Sequence, residues 1–308
     1  MKQKTFYSLL LTGMVMLAAG TFVSCEEDLT TEVTTVPITI VPDNSDFVDG
    51  TVARTRGTKV TAISGLGISA SVYSAASTYT SAGCGSYFFN ESVTAGTPTA
   101  HYWPTADYRL SFFGYYPYGN TALTVQSAAS ATGAPTYAYT VPSAIASQLD
   151  VMTGQTADVL GGGTSPVNMT MKHRCAAIRF RVTNSRSSAI TLTSISINGV
   201  KYTGTLTGDT WTLGGGTSNF LLAYGSSIAA SATANVTGTT NIFMMLPQTL
   251  PAGAKIKVVV DGSEELEADL TGSWIAGKQY NYSIEVTNST IIVVDEDTDI
   301  EDWEAAEE

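Results

Sequence analysis

Short strand-like runs separated by turn residues extend from residue 59 to residue 286 of this 308-residue chain. The runs are about five to seven residues long and are bounded by Gly, Pro, Asn or Asp, as β-sandwich strands are. In "AAIRFRVTN", apolar Ile178, Phe180 and Val182 alternate with two arginines, so one face is expected to be buried and the other solvated. No stretch has a sustained helical period. The pattern predicts an all-β protein.

The composition supports this prediction and allows two domains. Hydrophobic residues make up 44% of the chain and charged residues only 14%, and the frequent Thr, Val and Tyr suit a pleated sheet. A glycine run at residues 161–163 precedes a new alternating strand and is interpreted as a domain boundary. Five segments are therefore predicted: a signal peptide (1–24), a tether with a first strand and loop (25–57), two β-sandwich domains (58–165 and 166–288) and a tail (289–308).

The charge argues against nucleic acid as a partner. The formal net charge is -12, and the basic residues are few and scattered. Binding to a phosphate backbone requires clustered Lys and Arg that replace the released counterions. We expect no nucleic-acid partner.

The N-terminus has the pattern of an export signal. Lys2 and Lys4 precede an apolar stretch at residues 6–20, which is too short for a membrane-spanning helix. The sequence "FVSC" then resembles a lipobox, which predicts cleavage between Ser24 and Cys25 and lipidation (palmitate) of Cys25. An ordinary secretory signal with an incidental cysteine is the alternative. The acidic residues that follow Cys25 resemble an export signal to the outer membrane, so a lipid-anchored cell-surface protein is predicted.

The segment after Cys25 contains a first strand and a loop. "TEVTTVPITIVP" alternates as a strand does, and Pro37 and Pro42 indicate an edge strand or a strand end. Arg54 and Arg56 follow among small residues, a composition in which trypsin-like proteases cut exposed loops. Two solvated arginines are an equally good interpretation of the loop.

No catalytic, metal-binding or cofactor-binding constellation is found, so we expect a protein that is not an enzyme. "GSWIAGKQ" fits the spacing of a phosphate loop, but a strand follows it where a helix is required, so a turn is predicted. His101 and His173 lie in strand-like runs and are interpreted as structural histidines. Cys84 and Cys175 are predicted to be buried, unpaired thiols, and a disulfide between them is the alternative.

Aromatic residues concentrate between Tyr102 and Tyr118. Sandwich cores are the commoner use of such side chains, so a buried cluster around Trp103 and Phe112 is predicted. An exposed sugar-stacking row is the alternative. It would make the chain a glycan-binding lipoprotein of a polysaccharide-uptake system.

Several stretches together resemble the fimbrillin family, the lipoprotein pilins of type V pili. They are "YWPTADYRLSFFGYYP" (102–117), "LDVMTGQ" (149–155), "VNMTMKHRCAAIRFRVTN" (167–184) and "WIAGKQYNYSIEV" (274–286), together with the lipobox and the acidic "DIEDW" ending. The resemblance implies two transthyretin-like β-sandwich domains and a role in a fimbrium that mediates cell adhesion. It also implies other pilin subunits as partners, the outer membrane as a lipid anchor site, and a surface ligand of host or bacterial origin.

The resemblance further implies assembly by strand exchange. An arginine-specific protease would cut after Arg54 or Arg56 and release a strand lying within residues 32–41. A strand from another subunit would then fill the groove that remains. Arg56 is slightly favoured because it is nearer the following domain.

The tail "STIIVVDEDTDIEDWEAAEE" is the candidate donor of that strand. Its apolar side chains most able to fill a groove are Ile292, Val294, Ile300 and Trp303. Because "DEDTD" interrupts them, two short strands joined by a turn are predicted. A solvated acidic tail is the alternative.

Overall fold

A computed structural model of the chain describes residues 36–43, 65–79, 84–126, 133–163, 166–237, 241–294 and 300–302. Strands of the first half are β1 (Pro37–Asp43), β2 (Leu66–Ser74), β3 (Gly85–Val93), β4 (Pro98–Tyr102), β5 (Tyr108–Tyr116), β6 (Leu123–Gln126), β7 (Thr136–Thr140), β8 (Met152–Leu160) and β9 (Val167–His173). One turn of 3₁₀ helix, Ile145–Ser147, lies between β7 and β8.

The described residues of the second half form fourteen strands. They are β10 (Ala176–Asn184), β11 (Ile190–Lys201), β12 (Thr203–Thr207), β13 (Thr210–Leu213), β14 (Thr217–Ile228), β15 (Thr233–Asn235), β16 (Phe243–Met245), β17 (Gln248–Thr249), β18 (Lys255–Val260), β19 (Glu264–Asp269), β20 (Ser273–Trp274), β21 (Lys278–Val286), β22 (Ile291–Val294) and β23 (Ile300–Asp302). The all-β prediction is confirmed. Within the described ranges, no helix is long and apolar enough to span a membrane.

The first hydrophobic core lies against a seven-stranded sheet. Its strand order is β3-β2-β5-β8-β9-β1-β4. Wholly buried side chains on this core include Leu66, Leu110 and Phe112. Both β1, the first of the described strands, and β9 belong to this sheet.

The second core lies among the four further sheets of the described strands. Their orders are β15-β10-β21-β22, β14-β11-β18-β19, β13-β12-β7-β6 and β17-β20, and β16 and β23 pair with β10 and β21. In β10, Ile178, Phe180 and Val182 are buried while Arg181 is exposed, so the predicted alternation is confirmed. This core combines strands of both halves of the chain.

The strand pairing differs from the predicted boundary at residues 165 and 166. β9 was predicted to begin the second sandwich, yet it pairs antiparallel with β8 and lies in the first sheet. Conversely, β6 and β7 join β12, and Tyr137 and Tyr139 lie in the second core. The glycine run turns the chain back: a Cβ at Gly161 would lie 2.1 Å from the Thr105 carbonyl oxygen, so only glycine fits there.

The stretch "GSWIAGKQ" is a turn, as predicted. It contains β20 and then a reversal at Gly277, which has a φ of 72°, before β21 begins at Lys278. The chain therefore enters a strand where a phosphate loop would enter a helix.

The cysteines and histidines take structural positions. Cys175 is a fully buried thiol, and burial raises its pKa to about 12. Cys84 is only half-buried, so its predicted burial is wrong in degree. It lies directly before β3, where its Sγ is 3.9 Å from the Tyr79 carbonyl oxygen. His173 Nδ1 lies 2.9 Å from Asp150 Oδ1, and both side chains are buried, which confirms a structural histidine.

Candidate strand-acceptor groove

Strand β1 joins β4 to the rest of the first sheet. Its first half pairs antiparallel with β4, with Pro37 opposite Tyr102, and its second half pairs parallel with β9, from Ile40 opposite Val167 onwards. Backbone N–H groups beyond both ends of β4 also donate to it: Gly96 to the Ile40 carbonyl at 2.8 Å and Trp103 to that of Val36 at 3.0 Å. The first strand is therefore an internal strand of the sheet.

The prolines of β1 are placed where a missing N–H is tolerated. Pro37 is the first residue of the strand, and Pro42 lies beyond Thr39, the last residue that pairs with β4. The prediction of an edge strand is wrong, whereas the alternative of prolines near strand ends is confirmed. Among the described strands, the first half of β1 pairs only with β4 and the second half only with β9. Each half therefore has one unpaired side, as an edge strand has, and this is why prolines are tolerated in it.

Alternate side chains of β1 fill the first core. Ile38 and Ile40 are 0% exposed and Pro42 is buried, whereas Val41 is 36% exposed. Burial of an isoleucine side chain contributes about 1.5–3 kcal/mol, so the two contribute about 3–6 kcal/mol together. Loss of β1 would leave an apolar trough beside unpaired backbone groups.

A methionine of β9, Met169, lies beside β1, and Met171 follows it in the same core. Met169 lies opposite Pro42 in the parallel pairing, and Met169 and Met171 are both wholly buried. Glycines make room for them: a Cβ at Gly114 would lie 2.4 Å from Met169 Sδ, and one at Gly154 would lie 2.8 Å from Met171 Sδ. Methionine is unbranched and flexible, so this lining can adapt to different strands.

The aromatic cluster between residues 102 and 118 is mainly core. Trp103 and Phe112 are 1% and 0% exposed and meet edge to face at a centroid distance of 5.8 Å. Tyr102 and Tyr118 are exposed. The predicted core role is confirmed, and the inward orientation of Trp103 and Phe112 removes the basis of the alternative, an exposed sugar-stacking row.

The described strands of the tail lie at one edge of the sheet that contains β10 and β21. Both β22 and β23 pair antiparallel with β21, with Ile291 opposite Val286 and Ile300 opposite Tyr280. Two short strands were predicted, and both are present. Their common partner is β21, so the tail continues one sheet of its own chain.

The inward face of the tail differs from the face selected from the sequence. Ile291 is 4% exposed and belongs to the second core, and Val293 packs against it, whereas Ile292 is 47% exposed. Val294 and Ile300 are placed as backbone residues of β22 and β23. Ser24, Cys25, Arg54, Arg56 and Trp303 lie outside the described residues.

The fold and the position of β1 define a class: all-β proteins with two hydrophobic cores, in which an N-terminal strand completes the first. The chain belongs to the fimbrillin-like family, which it matches over residues 50–303. The matched region begins after β1 and includes β22 and β23. No curated protein matches the sequence.

Two solved structures have a similar fold. One is a candidate cell adhesion protein of Bacteroides uniformis, with a TM-score of 0.55, 16% identity, and coverage of 87% of this chain and 98% of that one. The other is a candidate cell adhesion protein of Bacteroides ovatus, with a TM-score of 0.57, 16% identity, and coverage of 88% and 99%. The likeness concerns the fold.

Proposed function

We propose that the chain is a fimbrial subunit or adhesin that mediates cell adhesion and assembles by exchange of its first strand. The observation that carries the proposal is the position of β1, which joins β4 to β9 and buries Ile38 and Ile40 completely. Membership of the fimbrillin-like family supports the same role. The partners are other pilin subunits.

Export and cleavage prepare the exchange. The precursor is exported as a lipoprotein through Cys25 and reaches the outer membrane, where it is exposed on the cell surface. Arg54 and Arg56 both lie in the connection between Asp43, the end of β1, and Leu66, the start of β2. A cut after either arginine separates β1 from the rest of the chain and leaves every described strand intact.

Release of β1 drives the next step. It exposes the trough that Ile38 and Ile40 had filled, together with backbone groups of β4 and β9 that had been hydrogen-bonded to β1. Unpaired strand edges and exposed apolar surface are both unfavourable in water. A strand from another subunit that restores the pairing and places alternate side chains in the trough removes both costs.

The tail is the proposed donor. In residues 291–294, either the pair Ile291 and Val293 or the pair Ile292 and Val294 has the two-residue spacing of Ile38 and Ile40. Ile300 and Trp303 supply further apolar side chains beyond the acidic interruption. Because β22 and β23 are paired only with β21 among the described strands, the tail can leave without disrupting pairs between other described strands.

Treatment of the purified lipidated precursor with a trypsin-like protease tests the proposal. We expect trimming after Arg54 or Arg56 and then multimers, read by mass spectrometry of the N-terminus and by electron microscopy. The double variant Arg54→Ala and Arg56→Ala is the matched control and should remain monomeric. Assembled fibres that retain an intact N-terminus would refute the cleavage step.

A further inference from the structure

Strand β4 is joined to the sheet through β1. Among the strands that the structure describes, β4 pairs with β1 and no other. The N–H groups of Gly96 and Trp103, just outside β4, also donate to carbonyls of the β1 segment. Departure of β1 therefore removes all of these backbone hydrogen bonds at once.

Apolar burial contributes little to the position of β4. Pro98, Ala100 and Tyr102 are exposed, and the inward-facing Thr99 and His101 are half-buried. A strand with so little apolar surface in the core gains little from the hydrophobic effect. Some other set of contacts must hold it once β1 has left.

Side chains of β3 provide such contacts. The His101 ring stacks on Phe88 at a centroid distance of 4.4 Å and an angle of 12°, and Phe88 belongs to the first core. His101 Nε2 lies 2.9 and 3.0 Å from the two carboxylate oxygens of Glu91. The Tyr87 hydroxyl donates to the Tyr102 carbonyl at 2.5 Å. We call His101, Phe88, Glu91 and Tyr87 the His101 cluster.

The cluster is independent of β1, because each of its contacts joins β4 to β3. The far end of β4 is fixed separately by the next residue, Trp103, which is buried against Phe112. His101 lies two residues before Trp103. Trp103 thus contacts the core at the end of β4, and His101 makes its contacts within the body of the strand.

We propose that His101 is a positioning residue that keeps β4 in place as a wall of the groove after β1 has left. The inference rests on the proposed strand exchange. An incoming strand would pair with β9 and β4 as β1 does, and a wall already in position does not have to be ordered during binding. The His101 cluster thus sets the affinity of the empty groove for a strand, while β1 itself holds β4 in the precursor.

Binding of a synthetic β1 peptide to the cleaved protein tests this role. The full chain is cut between β1 and β2, and a fluorescent peptide of residues 34–45 displaces the released fragment. We expect His101→Ala to raise the Kd of the peptide about tenfold, because an aromatic contact and a charge-assisted contact are lost. Ser92→Ala alters an exposed residue of β3 beside Glu91 that faces neither β4 nor the peptide, and it should change Kd by no more than about twofold.

Two partial variants separate the contributions of the cluster. His101→Phe retains the ring on Phe88 and loses the contact with Glu91, while Glu91→Gln retains the ring and removes the charge. Both should lie between the wild type and His101→Ala in Kd. A His101→Ala protein with the wild-type Kd would overturn the proposal.

Amide exchange distinguishes positioning from a general structural role. The amides of residues 99–102 should be equally protected in the uncut wild type and the uncut His101→Ala protein. They should exchange faster in His101→Ala once β1 has been removed. Fast exchange already in the uncut variant, or equal exchange in both emptied proteins, would contradict the role. If the cleaved wild type binds no peptide, the proposed strand exchange is wrong. The amide exchange rates of β4 in the two proteins without β1 then still decide the role of His101.

Discussion

Gly114 of β5 and Met169 of β9 are in such close contact that a Cβ on the glycine would lie 2.4 Å from Met169 Sδ. The glycine thereby leaves space for a methionine that lies opposite Pro42 of β1. Met169 can line the groove only because Gly114 has no side chain at this point.

Gly114→Ala should destabilise the precursor by about 1 kcal/mol, because the added methyl group displaces the flexible Met169 side chain from its place in the core. Gly215→Ala is the control, since nothing lies within 4 Å of its added Cβ. Urea denaturation measures both. Equal midpoints for the two variants would show that Met169 moves aside at no cost.

Ile40→Ala should destabilise the precursor by about 2–5 kcal/mol, because it opens a cavity where a wholly buried side chain had been. After cleavage, the same variant should release the β1 fragment faster. Val41→Ala, at the adjacent exposed position, is the matched control and should have a small effect on both measurements. Similar release rates for the two variants would mean that β1 is held by its backbone pairing alone.

Glu264→Gln should weaken the fold at neutral pH and have no effect in acid. Arg186 donates two hydrogen bonds of 2.7 Å to the Glu264 carboxylate and one of 2.8 Å to the Thr287 carbonyl, in the turn that precedes the tail. The bonds from Arg186 lower the pKa of Glu264 below its ordinary value of 4.5. The stabilisation is therefore present above pH 4.5 and is lost as the pH falls through the lowered pKa.

Urea denaturation at pH 7 and at about pH 2 checks the effect of this pair. The difference between wild type and Glu264→Gln should vanish at the lower pH. A double-mutant cycle with Arg186→Gln isolates the coupling between the two side chains. A difference that persists at low pH would assign the effect to something other than the ion pair.

Deletion of residues 291–308 should abolish polymerisation and leave both cores folded. The deletion removes Ile291 from the second core, so a loss of about 1.5–3 kcal/mol in stability is expected. Circular dichroism and electron microscopy follow folding and assembly, with Ile292→Ser as an exposed control for folding. Fibres formed by the truncated protein would exclude the tail as donor.

The sequence alone predicted those features of the fold that depend on local residue pattern. The alternation around Ile178, Phe180 and Val182 predicted the buried face of β10, and "TEVTTVPITIVP" predicted a strand where β1 lies. Trp103 and Phe112 were correctly interpreted as core, because a buried aromatic cluster is the usual fate of such a concentration. These are short-range features of strand period and composition.

The pairing of strands that are distant in sequence could not be predicted from the residue pattern. Three glycines after β8 fit a domain boundary and a reversal equally well, so the partnership of β9 with β8 and β1 was missed. In the tail, four consecutive aliphatic residues give no indication of which face is buried, and Ile292 was selected although Ile291 is the buried one. The His101 cluster was missed because it joins strands that do not pair with one another.

The central claim is that β1 must leave before a subunit can assemble, and a reversible crosslink tests it most directly. Val41 and Asn168 face each other in the parallel pairing of β1 with β9, and both are exposed. Cysteines at these two positions, in a Cys84→Ser background, would join the strands by a disulfide. After protease treatment, electron microscopy should show no fibres from the oxidised protein and normal fibres once it is reduced. Equal assembly in both states would contradict the account.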